Sequence, residues 1–164
     1  TIFIEVMEAL KMSGHNEFIF LFIGDGIMLP YIKKIVLNKN LQNIEFVGRV
    51  KREYIPGIME MSDILVTNYI ADDHLDLYIP GKLFEYAISH KPIIIGSKGD
   101  AKKFIEKYQL GIAVTPSNKN EFVKAILDIS NGTYKYAPKT KQFIRAYSIE
   151  NVVTKYDNVF ENIN

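Results

Sequence analysis

Five short, largely apolar runs constrain this chain more than any other feature. They are Phe18–Ile23, Ile44-Glu45-Phe46-Val47, Ile64-Leu65-Val66, Pro92–Ile95 and Ile112-Ala113-Val114. Most lack the in–out alternation of a strand with one wet face, and they are rich in Ile, Val and Phe. That is how strands read when they are covered on both faces of a parallel sheet. Their starts lie about 20 to 30 residues apart, the length of one strand-plus-helix unit. The gaps carry helical periodicity instead. Ile2, Val6, Ala9 and Leu10 share one face, and so do Leu29, Ile32, Ile35 and Val36. Ile55, Ile58 and Met59 repeat the pattern, as do Phe122, Ala125, Ile126 and Ile129. Ser117 or Asn118 offers a cap for the helix at 119–130, and Ser148 for the last helix, 149–163. The expected fold is α/β: a Rossmann-like, doubly wound parallel sheet.

The 164 residues suffice for one domain with a sizeable core. A net charge of +1 gives no bulk electrostatic case for nucleic acid or anionic membrane. Without cysteine there is neither disulfide nor thiolate metal site. No run approaches the ~20 apolar residues of a membrane helix. The chain opens at Thr1 inside an apolar-periodic helix, and it reads as a fragment of a longer protein. The last helix carries Val152, Val153, Tyr156, Val159 and Phe160, more apolar surface than one shallow contact uses, so an exposed patch is expected there.

Four places carry chemistry. Ile79-Pro80-Gly81-Lys82-Leu83-Phe84-Glu85 reads as a Pro-Gly turn opening a helix, with an acid one turn in. A helix start offers free N–H groups and a positive dipole end to an anion. The Glu85 carboxylate can accept hydrogen bonds from a diol, so a nucleotide sugar would suit the pair. Lys82 and Glu85 can instead form a local ion pair at i, i+3. Gly24-Asp25-Gly26 follows the strongest strand and would let a phosphate or sugar approach the backbone; the alternative is a tight strand-to-helix turn. Arg49, after the second strand, is aimed at the carboxyl-end cleft where doubly wound sheets bind ligands, unless it is simply solvated. Asp72, Asp73, His74 and Asp76 have metal-ligand chemistry, but as consecutive loop residues they read as a solvated acidic loop, so no metal site is expected.

These pieces together resemble the C-terminal, nucleotide-sugar-binding domain of family 4 glycosyltransferases, which have the GT-B fold. Phe22–Gly26 resembles the family's "hxGxG" turn, and Asn43–Val50 its "NVxFxGxV" segment. Met61–Val66 resembles "xADVxV", Pro80–Ala87 "PSKLFEYMA", Lys91–Ile94 "GKPVI" and Leu110–Val114 "xGxxV", all in the family's order. The chain departs from the E-x7-E pair, whose first acid falls at Leu77, and lacks most of the segment bearing the family's basic pair.

The resemblance implies that Glu85 holds ribose hydroxyls and that the backbone around Gly81, Lys82 and Leu83 meets the diphosphate. Arg49 and Val50 would lie against the base, and Gly24 to Gly26 near the donor sugar. It implies a retaining transferase with no bound cofactor or metal, whose substrate is a UDP-, GDP- or other nucleotide sugar. Residues 1–164 would be the donor domain, with terminal helices over 142–164. A saccharide or lipid-linked acceptor would bind an N-terminal domain absent from this sequence, so the fragment alone would be inactive. Bacterial polysaccharide or glycolipid synthesis in the cytoplasm is the expected setting, with peripheral association at the inner membrane face left open. The competing class is a non-enzymatic nucleotide-binding or response-regulator-like α/β module. That class needs a phospho-accepting Asp at the end of the third strand, where this chain has Val66-Thr67-Asn68.

Overall fold

The structure is a computed structural model that describes residues 1–69 and 77–161, with side chains to residue 157. Strands and helices alternate: α1 (Ile2–Met12), β1 (Phe20–Ile23), α2 (Leu29–Asn38), β2 (Ile44–Gly48), α3 (Ile55–Met61) and β3 (Leu65–Asn68). Then come α4 (Gly81–Ile88), β4 (Ile93–Gly96), α5 (Asp100–Tyr108), β5 (Gly111–Val114), α6 (Lys119–Ser130), α7 (Thr140–Ala146) and α8 (Ile149–Glu161). Every strand pairing is parallel, as expected where each strand returns through a helix. The strands fall within two residues of the apolar runs.

Among the described residues the ladder is not continuous. β1 pairs with β2, and β3, β4 and β5 pair in that order, with no hydrogen bonds joining β1 to β3. This corrects the expectation of a single uninterrupted sheet. Apolar periodicity says that a strand exists, not which strand lies beside it.

β4 shows why the runs lack alternation. Ile93, Ile94 and Ile95 are each 0% exposed. Ile94 packs on one face with Ile4, Val6, Met7 and Leu10 of α1 and with Phe122 and Ala125 of α6. Ile93 and Ile95 turn to the other face, among Leu83, Ala87, Phe104, Ile105 and Leu110. Successive side chains point opposite ways, so a strand covered on both sides must be apolar throughout. β1 departs from this: Phe20 and Phe22 face the first cluster, while Leu21 and Ile23 are 39% and 41% exposed.

The helix ends follow their local chemistry. Asn118 caps α6 by accepting from the Glu121 N–H at 3.3 Å, and its Nδ2 donates to Glu121 Oε1 at 2.7 Å. The other Glu121 oxygen accepts from the Thr115 N–H at 2.7 Å, which ties the turn before the cap to the first turn of α6. Asn118→Ala should cost about 1 kcal/mol, and chemical denaturation of the two proteins measures it; an unchanged midpoint would refute the cap's contribution. Ser148 caps α8 by accepting from the Asn151 N–H at 3.3 Å. Val153 and Tyr156 of α8 are exposed, as expected, and Val152 is half-buried; Ile149 is exposed as well, while the side chains of Val159 and Phe160 lie outside those described.

Candidate functional site

The carboxyl ends of the strands gather the residues singled out by the sequence. Gly24 leaves β1 at φ +117° and Gly48 ends β2 at φ +79°, and the Gly24 N–H donates to the Gly48 carbonyl at 2.7 Å. Both conformations strain any residue with a Cβ. They bind the two turns together at the rim of the first ladder. A Cβ built on Gly24, Gly26 or Gly81 meets nothing within 4 Å, so all three backbones face open space. Arg49 is exposed, without a partner among the described residues, and Val50 beside it is half-buried.

Pro80 precedes α4 and gives its first turn no side-chain cap. The Leu83 N–H donates to the Pro80 carbonyl at 2.9 Å, and the Leu83 side chain is buried. The donors left at the helix start are therefore the Gly81 and Lys82 amides, with the dipole behind them. Lys82 forms no ion pair among the described residues, so the local Lys82–Glu85 pair considered from the sequence is not formed. Glu85 instead accepts from Arg52 Nη2 at 3.3 Å. Arg52 lies on the one-turn helix Arg52–Tyr54 after β2, so this contact links the β2 rim to α4. Its side chain is 94% exposed and that of Glu85 47%. An exposed pair of this kind is worth about 0.2–1 kcal/mol, so a ligand loses little by displacing it.

Sequence reasoning missed Arg52. The signal was present as the basic run Arg49-Val50-Lys51-Arg52, but only the 3-10 turn brings the third of these cations to α4. A buried phenol, Tyr86, follows the acid, and Tyr69 interacts with that phenol. Burial pushes Tyr86 up to about 12, with the Tyr69 phenol and the Glu85 charge adding to the shift. Burial also raises Tyr69. Both are thus neutral hydrogen-bonding groups near neutral pH.

A second brace holds the other rim. Asn68, at the end of β3, accepts from the Ser117 N–H at 2.8 Å and donates to Ser117 Oγ at 3.2 Å. The bonds tie β3 to the β5–α6 turn at Gly96, the last residue of β4; a Cβ on Gly96 would sit 2.2 Å from Asn68 Oδ1. Asp72, Asp73, His74 and Asp76 lie outside the described residues, whereas Leu77 is described and exposed. A groove of about 480 Å³ between the start of β1 and the end of α6, lined by His15, Phe18 and Leu127, opens at the opposite end of the strands, away from the end where such sheets bind ligands.

Parallel strands under two helical layers, with a glycine-rich rim and an open helix start at the carboxyl ends, make this a Rossmann-like α/β domain, the fold it shares with glycosyltransferase structures. The chain belongs to the glycosyl transferases group 1 family, whose profile matches residues 1–147. It is 23% identical to an uncharacterized glycosyltransferase of Methanocaldococcus jannaschii over 161 residues, 96% of this chain and 44% of that protein. Among solved structures, a glycosyltransferase from Rickettsia africae superposes with TM-score 0.74 at 20% identity, covering 98% of this chain and 44% of that one. The Anabaena HepE structure in complex with UDP gives 0.71 at 20% identity, covering 96% and 44%. The pneumococcal O-GlcNAc transferase GtfA in complex with UDP and GlcNAc gives 0.68 at 17% identity, covering 97% and 32%. This chain thus spans less than half the length of these relatives. No helix among the described residues is long and apolar enough to cross a membrane.

Proposed function

We propose that this chain is the donor-binding, C-terminal half of a retaining glycosyltransferase of family 4, taking a UDP-, GDP- or other nucleotide sugar. The observation that carries the reading is a carboxylate, Glu85, one turn inside a helix whose first two amides, Gly81 and Lys82, lack a cap. Ribose hydroxyls on Glu85 would set the diphosphate at those amides. The helix dipole and the Lys82 ammonium would then stabilise the charge that develops on the departing nucleoside diphosphate. Arg49 and Val50 border the space left for the base, and Gly24 and Gly26 the space for the sugar. The UDP held by two structural neighbours supports the same ligand class. A saccharide or lipid-linked acceptor would come from a separate N-terminal domain, so the 164 residues alone should turn over no donor. Transfer of a hexosyl or related sugar in bacterial polysaccharide or glycolipid synthesis follows from this reading.

The test is a thermal shift. At 100 Kd a ligand adds about 2.7 kcal/mol, so Tm should rise by roughly 5–11 °C for a domain of this size with UDP, GDP or their sugars. Acetyl phosphate with Mg²⁺ should leave Tm unchanged, because the end of β3 offers Asn68 rather than a phospho-accepting acid. A shift with acetyl phosphate and none with the nucleotides would replace the transferase reading with the response-regulator one.

A further inference from the structure

We propose that the outer face of α7, with the extended strap that leads to it, docks on an anionic lipid bilayer. The charge that would drive this is local. From Ile129 to Ile149 the chain has no acid and four cations, Lys135, Lys139, Lys141 and Arg145. With a net charge of +1 overall, the rest of the chain therefore carries −3. All four cations are exposed, and none forms an ion pair among the described residues. The acids on the helices packed against α7 are already engaged: Asp100 with Lys103 at 2.8 Å, Glu106 with Lys102 at 3.7 Å, and Glu85 with Arg52 at 3.3 Å. Glu150, at the start of α8, is the first acid beyond the stretch. Lys107 of α5, over the Tyr108 ring at 5.2 Å, adds positive charge where α5 meets Tyr147.

The backbone fixes these cations on the outside. Residues 134–139 alternate as an extended segment does: Tyr134, Tyr136 and Pro138 are half-buried, and Lys135, Ala137 and Lys139 are exposed. The strap is pinned at both ends. The Tyr134 N–H donates to the Asp128 carbonyl at 2.7 Å and its hydroxyl to the Gly111 carbonyl at 3.0 Å, while the Lys139 N–H donates to the Tyr108 carbonyl at 2.8 Å. In α7 the period becomes helical: Thr140 and Phe143 are buried, and Lys141, Ile144 and Arg145 are exposed. Phe143 locks the helix among Phe84, Phe104 and Tyr108, with ring centroids 5.6 to 6.0 Å away. Packing thus explains every inward side chain of the segment and none of the outward cations. Lysines beside an edge strand also discourage edge pairing. That role suits Lys135 and Lys139 near β5, but not Lys141 and Arg145 on a helix.

The side chains among the cations select lipid over other polyanions. Clusters of about four or more Lys or Arg on an amphipathic surface are the mark of attraction to anionic lipid. Ile144 lies three residues from Lys141 and next to Arg145, and it is 51% exposed. An aliphatic side chain there gains from the boundary between headgroups and acyl chains and nothing from a phosphate backbone. A nucleic-acid surface would instead present aromatic rings to the bases, and this segment turns Tyr134 and Tyr136 inward. No helix among the described residues is long and apolar enough to cross a membrane, so the contact is peripheral. None of these residues belongs to the proposed donor site, and the inference stands independently of that reading.

Vesicle sedimentation tests it. The chain should pellet with vesicles of equimolar phosphatidylglycerol and phosphatidylcholine at about 0.05 M salt and stay in solution with phosphatidylcholine alone. Raising salt to about 0.5 M cuts the Debye length roughly three-fold and should release it. Lys141→Ala combined with Arg145→Ala should weaken binding roughly ten- to thirty-fold. Ile144→Ser, which keeps every cation, should weaken it roughly three- to ten-fold. All three positions are exposed, so the variants should melt within about 3 °C of the parent, which separates lost binding from lost fold. No pelleting on the anionic vesicles, or equal pelleting on the neutral ones, overturns the proposal. So does full binding by the Lys141/Arg145 double variant, which would place the contact elsewhere on the chain. Duplex DNA bound more tightly than the vesicles, or an Ile144→Ser variant with undiminished vesicle affinity, would make the surface a general polyanion site and overturn the assignment to lipid.

Discussion

Gly111→Ala should destabilise the fold by roughly 3–5 kcal/mol, at the upper end of single-residue effects. Gly111 opens β5 opposite Ile93. Its φ is +155°, and a Cβ there would lie 1.9 Å from the Ile93 carbonyl oxygen and 2.5 Å from the Ile93 nitrogen. Both atoms are backbone, so no rotamer relieves the contact. β5 would have to withdraw from β4, straining the bond from the Ile93 N–H to the Leu110 carbonyl at 2.9 Å. The bond from the Tyr134 hydroxyl to the Gly111 carbonyl at 3.0 Å would be strained with it. Leu110 and Ile93, both fully buried, would lose their packing. Against a total stability of about 5–15 kcal/mol, such a loss leaves a marginal domain. Urea denaturation checks it, and a loss below about 1 kcal/mol would show that β5 can shift without cost.

Glu85→Gln should weaken nucleotide binding by roughly ten- to a hundred-fold, about 1.4–2.8 kcal/mol, with the fold intact. Hydrogen bonds to a charged acceptor contribute about 1.5–3 kcal/mol each, and an amide oxygen keeps the shape but loses the charge assistance. The half-exposed side chain contributes little to the core, so stability should change by less than about 1 kcal/mol. Arg52→Ala provides the contrast. It removes the partner seen at 3.3 Å while leaving the carboxylate, so affinity should stay within about three-fold if Glu85 itself contacts the ligand. Calorimetric titration of both variants with UDP and GDP separates the roles. Equal losses in the two would make the ion pair, and not the carboxylate, the binding element.

Strands and helices were readable to within a residue or two because burial on both faces leaves a mark in the sequence. β4 is all isoleucine until Gly96, and the α6 periodicity matches its buried Phe122, Ala125 and Ile126. β1 begins two residues later than its apolar run, and Ile19 is exposed. Its ladder starts only where Asn43 and β2 offer partners, which no local pattern encodes. The helix α7 falls where the terminal helices were expected to begin, but its anchor is tertiary: Phe143 packs on Phe104 with ring centroids 5.6 Å apart. At the site, the Pro-Gly turn and Glu85 were legible as local chemistry. The reach of Arg52 across 33 residues was not, nor was the loss of the Leu83 amide to Pro80. Proximity in sequence offered Lys82 as an alternative partner for the acid, and the structure pairs Glu85 with Arg52.

The Ile93–Ile95 stretch is committed on both of its faces, so the middle of the second ladder has no side chain to lend to chemistry. On the donor-domain reading proposed above, what distinguishes one sugar from another would be written in the turns beyond the strand ends, around Gly24, Arg49, Asn68 and Ser117. The exposed Arg49 touches few core contacts, whereas Gly24 needs its positive φ and Asn68 braces the Ser117 turn. On that reading a new donor would be specified by rewriting the rim, with the isoleucine strand beneath it as a fixed chassis.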